Sequence, residues 1–443
     1  MRVRTIEIAA GAVIGALALS GCGSSGGSGG SGAGKTITVY TSTNGQYATQ
    51  QRQWFKAVSA AFEKQTGTKV NFETYSSGDE ELTKIQTSVV ANQGPDIFDI
   101  GTTFTPTAYA TGAFAKLTAA DWAKLGGKSK FIPATLGISG PDATHQIGVP
   151  WTSQPYVLAY NTQLLSKAGI AQPATTWDGL AQQAKQLTGN GVYGIATGYK
   201  DGFLPWKFVW AMDEQAGHPL VAGQKADINS PSTAAAYQAY FGWLTREHAV
   251  DPASIGWNDD QALAAFASGK AAFYPMTSTT AIPTFDQSAV KGKYKFALLP
   301  TVPPGVSSMP AGGKPVASML SGENLVVAQY SQNKDLDLQL IKFLTDPAQQ
   351  KIQYSTFGEM PVNQSSAQEI EKTTPAVKPI VDAEAGSYST PFTGAWGQIE
   401  LGLVNIVVQS IPELSSGGVR ASTLAQQLGA AQKDAQSALN GSK

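Results

Sequence analysis

The chain has 443 residues, of which 42% are hydrophobic and 14% charged, and its net charge is −1. That length exceeds what one compact core usually holds, so two lobes are expected, and the composition excludes a disordered chain. The near-zero charge argues against nucleic acid as a partner, while three isolated His and a single Cys exclude a disulfide scaffold and a zinc-type cluster.

The first segment is an address. Arg2 and Arg4 form a charged start, and Ile8 to Leu19 is an apolar run too short to span a bilayer. Leu19-Ser20-Gly21-Cys22 then reads as a bacterial lipobox, which predicts a signal peptide over 1–21 and lipidation (diacylglycerol, palmitate) at Cys22. Two acyl chains hold a protein durably at a membrane surface. Residues 22–34 are nearly all Gly and Ser, a flexible tether. Within it, Gly29 to Thr36 satisfies the G-x-x-x-x-G-K-T nucleotide pattern. A working phosphate loop needs a strand before it and a helix after it, and this one has neither. It is a coincidence of composition.

The body begins with alternation at Thr36 to Thr41, a strand, followed by Gln46 to Gln65, which sets Trp54, Phe55, Val58, Ala61 and Phe62 on one helical face. Val70 and Phe72 alternate again, so the spacing predicts a β-α-β unit and a parallel sheet. A polar turn, SSGDEE, precedes a helix with Leu82, Ile85 and Val89, and Pro95 to Gly101 (PDIFDIG) reads as a buried strand. Thr102 to Phe104 follow its carboxyl end, where open α/β sheets bind ligands. Pro150 predicts a turn, since proline sits at strand starts and edges. Tyr156 to Tyr160 (YVLAY) reads as the next strand. Asn161 caps a short helix with Leu164 and Leu165, and Thr175 caps a second one that buries Trp177, Leu180, Ala184 and Leu187. Farther on come a strand at Val192 to Ala196, a helix at Leu204 to Met212, a helix opened by Pro231, and one capped by Asn258 and stopped at Gly269. Strands at Ala271 to Tyr274, Phe296 to Leu299 and Leu325 to Ala328 follow. Asp346-Pro347 opens a further helix, and two amphipathic helices carrying Trp396 and Leu424 close the chain.

Four ordered blocks among these elements resemble the extracellular solute-binding proteins of ABC importers, in the sugar-binding, maltose-binding-protein-like branch. The first is "ANQGPDIFDIG". The second holds Tyr160, Asn161, Leu164, Leu165, Ala168, Gly169, Pro173, Thr176, Trp177, Asp178 and Leu180, with Thr162 in place of the usual Lys. The third is "DDQALAAFASGKAAFYP", and the fourth runs from LVVA to the GEMP turn at Gly358 to Pro361. The resemblance implies an α/β, two-lobed fold of the periplasmic-binding-protein type II class, with segments crossing a hinge. Lobe one would be 35–153 plus 300–362, and lobe two 154–299 plus 363–443. It implies a monomeric receptor without cofactor or catalysis. Lipid-anchored to the outer face of the cytoplasmic membrane, it captures a mono- or oligosaccharide for the transmembrane subunits of an ABC permease.

A sugar needs aromatic faces for its C–H surface and hydrogen-bond partners for its hydroxyls, because an unpaired buried polar group costs about 1–3 kcal/mol. On the resemblance, Trp396 falls where a helix's first turn lines the cleft, although a core tryptophan facing Leu403 reads equally well. Gln154 and Thr103 fall where relatives carry acids. Trp206 and Trp257 lie in segments that contribute aromatics, with core packing as the rival reading. Asn44, past the first strand, reads as a ligand contact or a turn-former. Ser278, Glu323, Asn324 and Glu359 are loop polar candidates. The competing class, a secreted glycoside hydrolase or carbohydrate-binding surface lipoprotein, shares these residue types. A hydrolase also needs two carboxylates about 5–9.5 Å apart, and only Glu323 and Glu359 offer themselves.

Overall fold

A computed structural model describes residues 35–76 and 78–442. The predicted signal peptide, Cys22 and the Gly/Ser tether lie outside the described residues.

The described residues build two main sheets, with two further two-stranded pairs (Ser318–Met319 with Ser387–Tyr388, and Val221–Ala222 with Lys225–Ala226). The first has six strands in the order Met360–Pro361, Gly148–Ser153, Gly322–Val327, Ile97–Gly101, Thr36–Ser42, Lys69–Tyr75. Thr36–Ser42 pairs in parallel with both Lys69–Tyr75 and Ile97–Gly101, as a crossover helix (Ala48–Thr66) between parallel strands requires. Gly322–Val327 returns antiparallel between Ile97–Gly101 and Gly148–Ser153. The second sheet has the order Tyr294–Ala297, Val157–Asn161, Ala271–Thr277, Tyr193–Ile195.

Both sheets are covered on two faces, and period-two alternation decides which side chain enters which layer. In the first sheet Val39, Ile97 and Leu325 join Trp54, Phe62 and Ile341, while Tyr40, Phe98 and Val326 join Ile85 and Ala108. In the second, Leu158 and Tyr160 meet Trp177, Trp206 and Trp396, whereas Val157 and Ala159 meet Phe266, Phe285 and Ile380. Every residue of Val157–Asn161 is buried, which is why that strand reads as a continuous apolar run.

The ends of the elements follow local chemistry. Asn161 accepts from the backbone N–H groups of Gln163 and Leu164, and Asn258 forms a reciprocal box with Gln261. The cap of the helix Trp177–Leu187 is Thr176 rather than Thr175: its hydroxyl accepts from the Gly179 N–H at 3.0 Å. Pro150 does not turn the chain. It lies inside Gly148–Ser153, opposite Asn324 at a bulge and on a side where no partner strand claims its missing N–H, because Met360–Pro361 pairs only with Ser153 and Thr152.

The chain passes from the first sheet to the second across residues 154–156. On the way back, residues 300–319 pack on the second sheet's helices before Gly322 enters the first. The Val302 carbonyl accepts from Trp177 N–H, Gly305 N–H donates to Asp178, and Val316 and Met319 join the core that holds Trp206. A final passage follows Pro361, and the helices Trp396–Leu414 and Ala421–Gly441 pack on the second lobe's core. Among the described residues, no helix is long and apolar enough to cross a membrane.

Candidate functional site

The two lobes face each other across a cavity of about 350 Å³. Most of its wall comes from the first lobe: the loop after Thr36–Ser42, one side of the Ala48–Thr66 helix, the strand ends at Asp99, Trp151 and Glu323, and the Phe357–Glu359 turn. Phe203, Asp260 and Thr280 close it from the second lobe. The apolar layer that holds Val39, Ile97 and Leu325 ends in polar side chains at this edge. Thr41, Asp99 and Glu323 continue the same alternating positions toward the carboxyl ends of Thr36–Ser42 and Ile97–Gly101.

The first-lobe loop is held by its own side chains. Asn44 Oδ1 accepts from Tyr47 N–H at 2.9 Å, and Gln51 accepts from Asn44 N–H at 3.0 Å while its amide donates to the Ser42 carbonyl at 2.7 Å. Tyr47 then reaches the other lobe: its hydroxyl donates to the Thr280 carbonyl at 2.8 Å and lies 3.0 Å from Thr284 Oγ1. Gly358 lies against Thr279 so closely that an added Cβ would meet its carbonyl oxygen at 2.3 Å. A further interlobe contact joins Thr107 Oγ1 to Gly397 N–H at 3.0 Å.

Three carboxyls meet at the base of the cavity. Thr41 donates to Asp99 Oδ2 at 2.6 Å, and Gln353 donates to Glu359 at 3.3 Å. Burial pushes Asp99 up to about 6 against the hydrogen bond from Thr41, and burial with the nearby Asp99 pushes Glu359 up to about 8. The same causes push Glu323 well above the usual carboxylate range. Each folded-state value lies above the unfolded one, so the folded chain holds these protons where the unfolded chain has released them. The associated stability is complete below about pH 4 and is lost as pH rises through about 6 to 8. A thermal melt of the ligand-free chain is therefore expected to fall by several degrees between pH 5 and 8.5, and Glu359→Gln should flatten that dependence. A melting temperature that rises over this range would contradict the assignment.

Of the residues singled out in the sequence, Asn44, Gln154, Glu323 and Glu359 line the cavity. The other six do not. Trp396 is fully buried and meets the buried Trp206 edge-to-face at 5.7 Å, because both face the layer over Leu158 and Tyr160. Asn324 is also fully buried; its amide donates to Thr105 Oγ1 and the Ile138 carbonyl at 3.0 Å each, and its oxygen accepts from Ser139. Ser278 caps the turn that presents Thr280. Trp257 is half-buried, its carbonyl taken by Lys200 N–H at 2.9 Å, and Thr103 hydrogen-bonds Glu400 outside the cavity wall. Trp54, read as core, is buried in the core and also lines the cavity.

The sequence reading passed over Asp99, Tyr47, Trp151 and Phe203. An aspartate inside a buried strand is costly unless it has work to do, so Asp99 carried a usable signal. Phe203 is 54% exposed at the cavity, on a turn fixed by Asp201 Oδ1, which accepts from the Phe203 and Leu204 N–H groups at 2.8 Å.

A sequence profile described as "Bacterial extracellular solute-binding protein" matches residues 47–351. Among curated proteins, the chain is 25% identical over 385 residues to the diacetylchitobiose binding protein DasA of Streptomyces coelicolor, covering 83% of this chain and 82% of that one. Among solved structures, a solute-binding protein of an ABC transporter from Thermotoga lettingae, bound with α-D-tagatose, superposes with a TM-score of 0.76 at 20% identity, covering 91% of this chain and 100% of that one. One from Agrobacterium radiobacter K84, in complex with ribitol, gives the same TM-score and identity over 91% of this chain and 98% of that one. These likenesses establish the two-lobed, type II fold.

Proposed function

Because the chain belongs to the bacterial extracellular solute-binding protein family, we propose that it is the non-catalytic receptor of an ABC importer. It captures a sugar or polyol between its lobes and delivers it to the permease. The observation that carries this reading is the cavity wall, to which both lobes contribute. A solute there contacts both lobes at once, and only such differential contact shifts the balance toward closure. Diacetylchitobiose, tagatose and ribitol, the ligands of the similar proteins, support a polyhydroxylated solute. We assign Asn44, Gln154, Glu323 and Glu359 as hydrogen-bonding contacts and Phe203 as the exposed stacking face.

Lobe one comprises 35–153 and 320–362, and lobe two 154–319 and 363–443; residues 300–319 go with lobe two because of their packing on its core. The chain works as a monomer, anchored through Cys22 to the outer face of the cytoplasmic membrane. Replacing Cys22 with Ser is expected to move it from the membrane fraction to the medium, as fractionation and immunoblotting would read; retention at the membrane would contradict the anchor.

Calorimetry against a panel of sugars and polyols, with product analysis of each, tests the receptor reading. Saturable binding with the solute recovered intact is expected. Bond cleavage would move the assignment to a glycoside hydrolase.

A further inference from the structure

The cavity is acidic without a counterion. Its lining residues include Asp99, Asp260, Glu323 and Glu359 and no Lys, Arg or His. Three of these carboxyls converge through the sheet register. Glu323 pairs with Gly101, which makes Asp99, two residues earlier on the same face, its diagonal neighbour. Glu323 also pairs with Thr152, and Thr152 pairs with Pro361, just beyond Glu359. Behind this group stands one more acid, Glu81, buried close to Asp99, and the Tyr75 hydroxyl donates to the Asp99 backbone carbonyl at 3.0 Å.

Two further observations point to a missing partner. Thr152, 3% exposed, leaves its Oγ1 without a hydrogen-bond partner, and Asp99, 1% exposed, has only the Thr41 hydroxyl and the Glu323 carboxyl as side-chain partners. Both residues line the cavity. A buried polar atom left this way is costly unless something arrives to satisfy it. Among the described residues, no group of three or more His, Cys, Asp or Glu is placed to hold a metal ion. A donor that carries charge would both pair with these groups and balance the carboxyls beside them. An ammonium brings three N–H donors for three carboxyls, and Trp54, Trp151 and Phe357 also line the cavity.

We propose that the cavity takes a polyhydroxylated solute carrying a protonated amine, whose ammonium is held among Asp99, Glu323 and Glu359. This rests on the receptor reading above and narrows its substrate class. In the empty chain burial raises all three carboxyls, and the neighbouring acids raise Glu323 and Glu359 further, so these hold protons that free carboxyls would release. An arriving ammonium replaces those protons, so binding releases them to solvent.

The test is calorimetry of the full chain at pH 7 with matched solutes: the free-amine glucosamine disaccharide against cellobiose and the N-acetylated disaccharide, and aminated sorbitol against sorbitol. Each titration is run in two buffers of different protonation enthalpy. The aminated member of a pair is expected to bind about tenfold tighter or more and to release protons, whereas the neutral member should release none. Glu323→Gln should shrink the preference to about threefold or less. Should that variant fail to fold, the comparison within the unaltered chain still decides. Neutral solutes binding as tightly as their aminated partners would overturn the amine assignment and leave the receptor reading standing. Binding by neither class would overturn both.

Discussion

Trp396→Ala is expected to lower the unfolding free energy by about 3–5 kcal/mol, the usual cost of emptying a large aromatic site in a core. Its indole has no solvent exposure and meets Trp206 at 5.7 Å, with the ring planes 70° apart. The surrounding layer includes Ile399 and Leu403 from its own helix and Leu158 and Tyr160 from the sheet beneath. That helix cannot shift freely to fill the void, because its first turn is tied to lobe one through Gly397 N–H and Thr107 Oγ1. Denaturant unfolding of the ligand-free protein reads the effect directly. Unchanged stability combined with lost affinity would return Trp396 to the ligand.

Gly358→Ala should weaken solute binding tenfold or more, about 1.4 kcal/mol at least, while leaving each lobe folded. Gly358 ends the helix Pro347–Phe357 with φ 74°, in the left-handed region, where a side chain costs about 1–2 kcal/mol. Its larger consequence lies between the lobes. An added Cβ would stand 2.3 Å from the Thr279 carbonyl oxygen and 2.8 Å from Thr280 Cα, both backbone atoms of the opposite lobe. The lobes would have to separate there, and the Tyr47 hydroxyl would lose the Thr280 carbonyl it reaches at 2.8 Å. Calorimetry and small-angle scattering would read weaker binding and a more open shape. Wild-type affinity would show that closure does not bring these segments together.

Much of the fold was legible because it is written in local chemistry. Asn161 and Asn258 announce helix starts, and alternation at Ile37 and Val39 announces a strand, since capping and period-two burial act over a few residues. Thr175 and Thr176 are adjacent capping residues, and only the backbone distinguishes them. Pro150 misled because its tolerance inside a strand depends on how far a two-residue neighbour extends, which is a property of the sheet and not of the segment. The site was legible in part. Polar residues near strand ends and turns, such as Asn44, Gln154, Glu323 and Glu359, line the cavity. Tryptophans divide differently, because an indole suits a core layer and a ligand face alike. Trp206 and Trp396 fill the core, while the smaller Phe203, three residues before Trp206, holds the exposed position.

A crystal structure of the chain with its preferred solute tests the central claim most directly. The solute is expected in the cavity beside Asn44 and Glu323 of lobe one, with Gln154, Phe203 or Thr280 of lobe two touching it as well. A solute bound to one lobe alone, or outside this cavity, would contradict capture between the lobes.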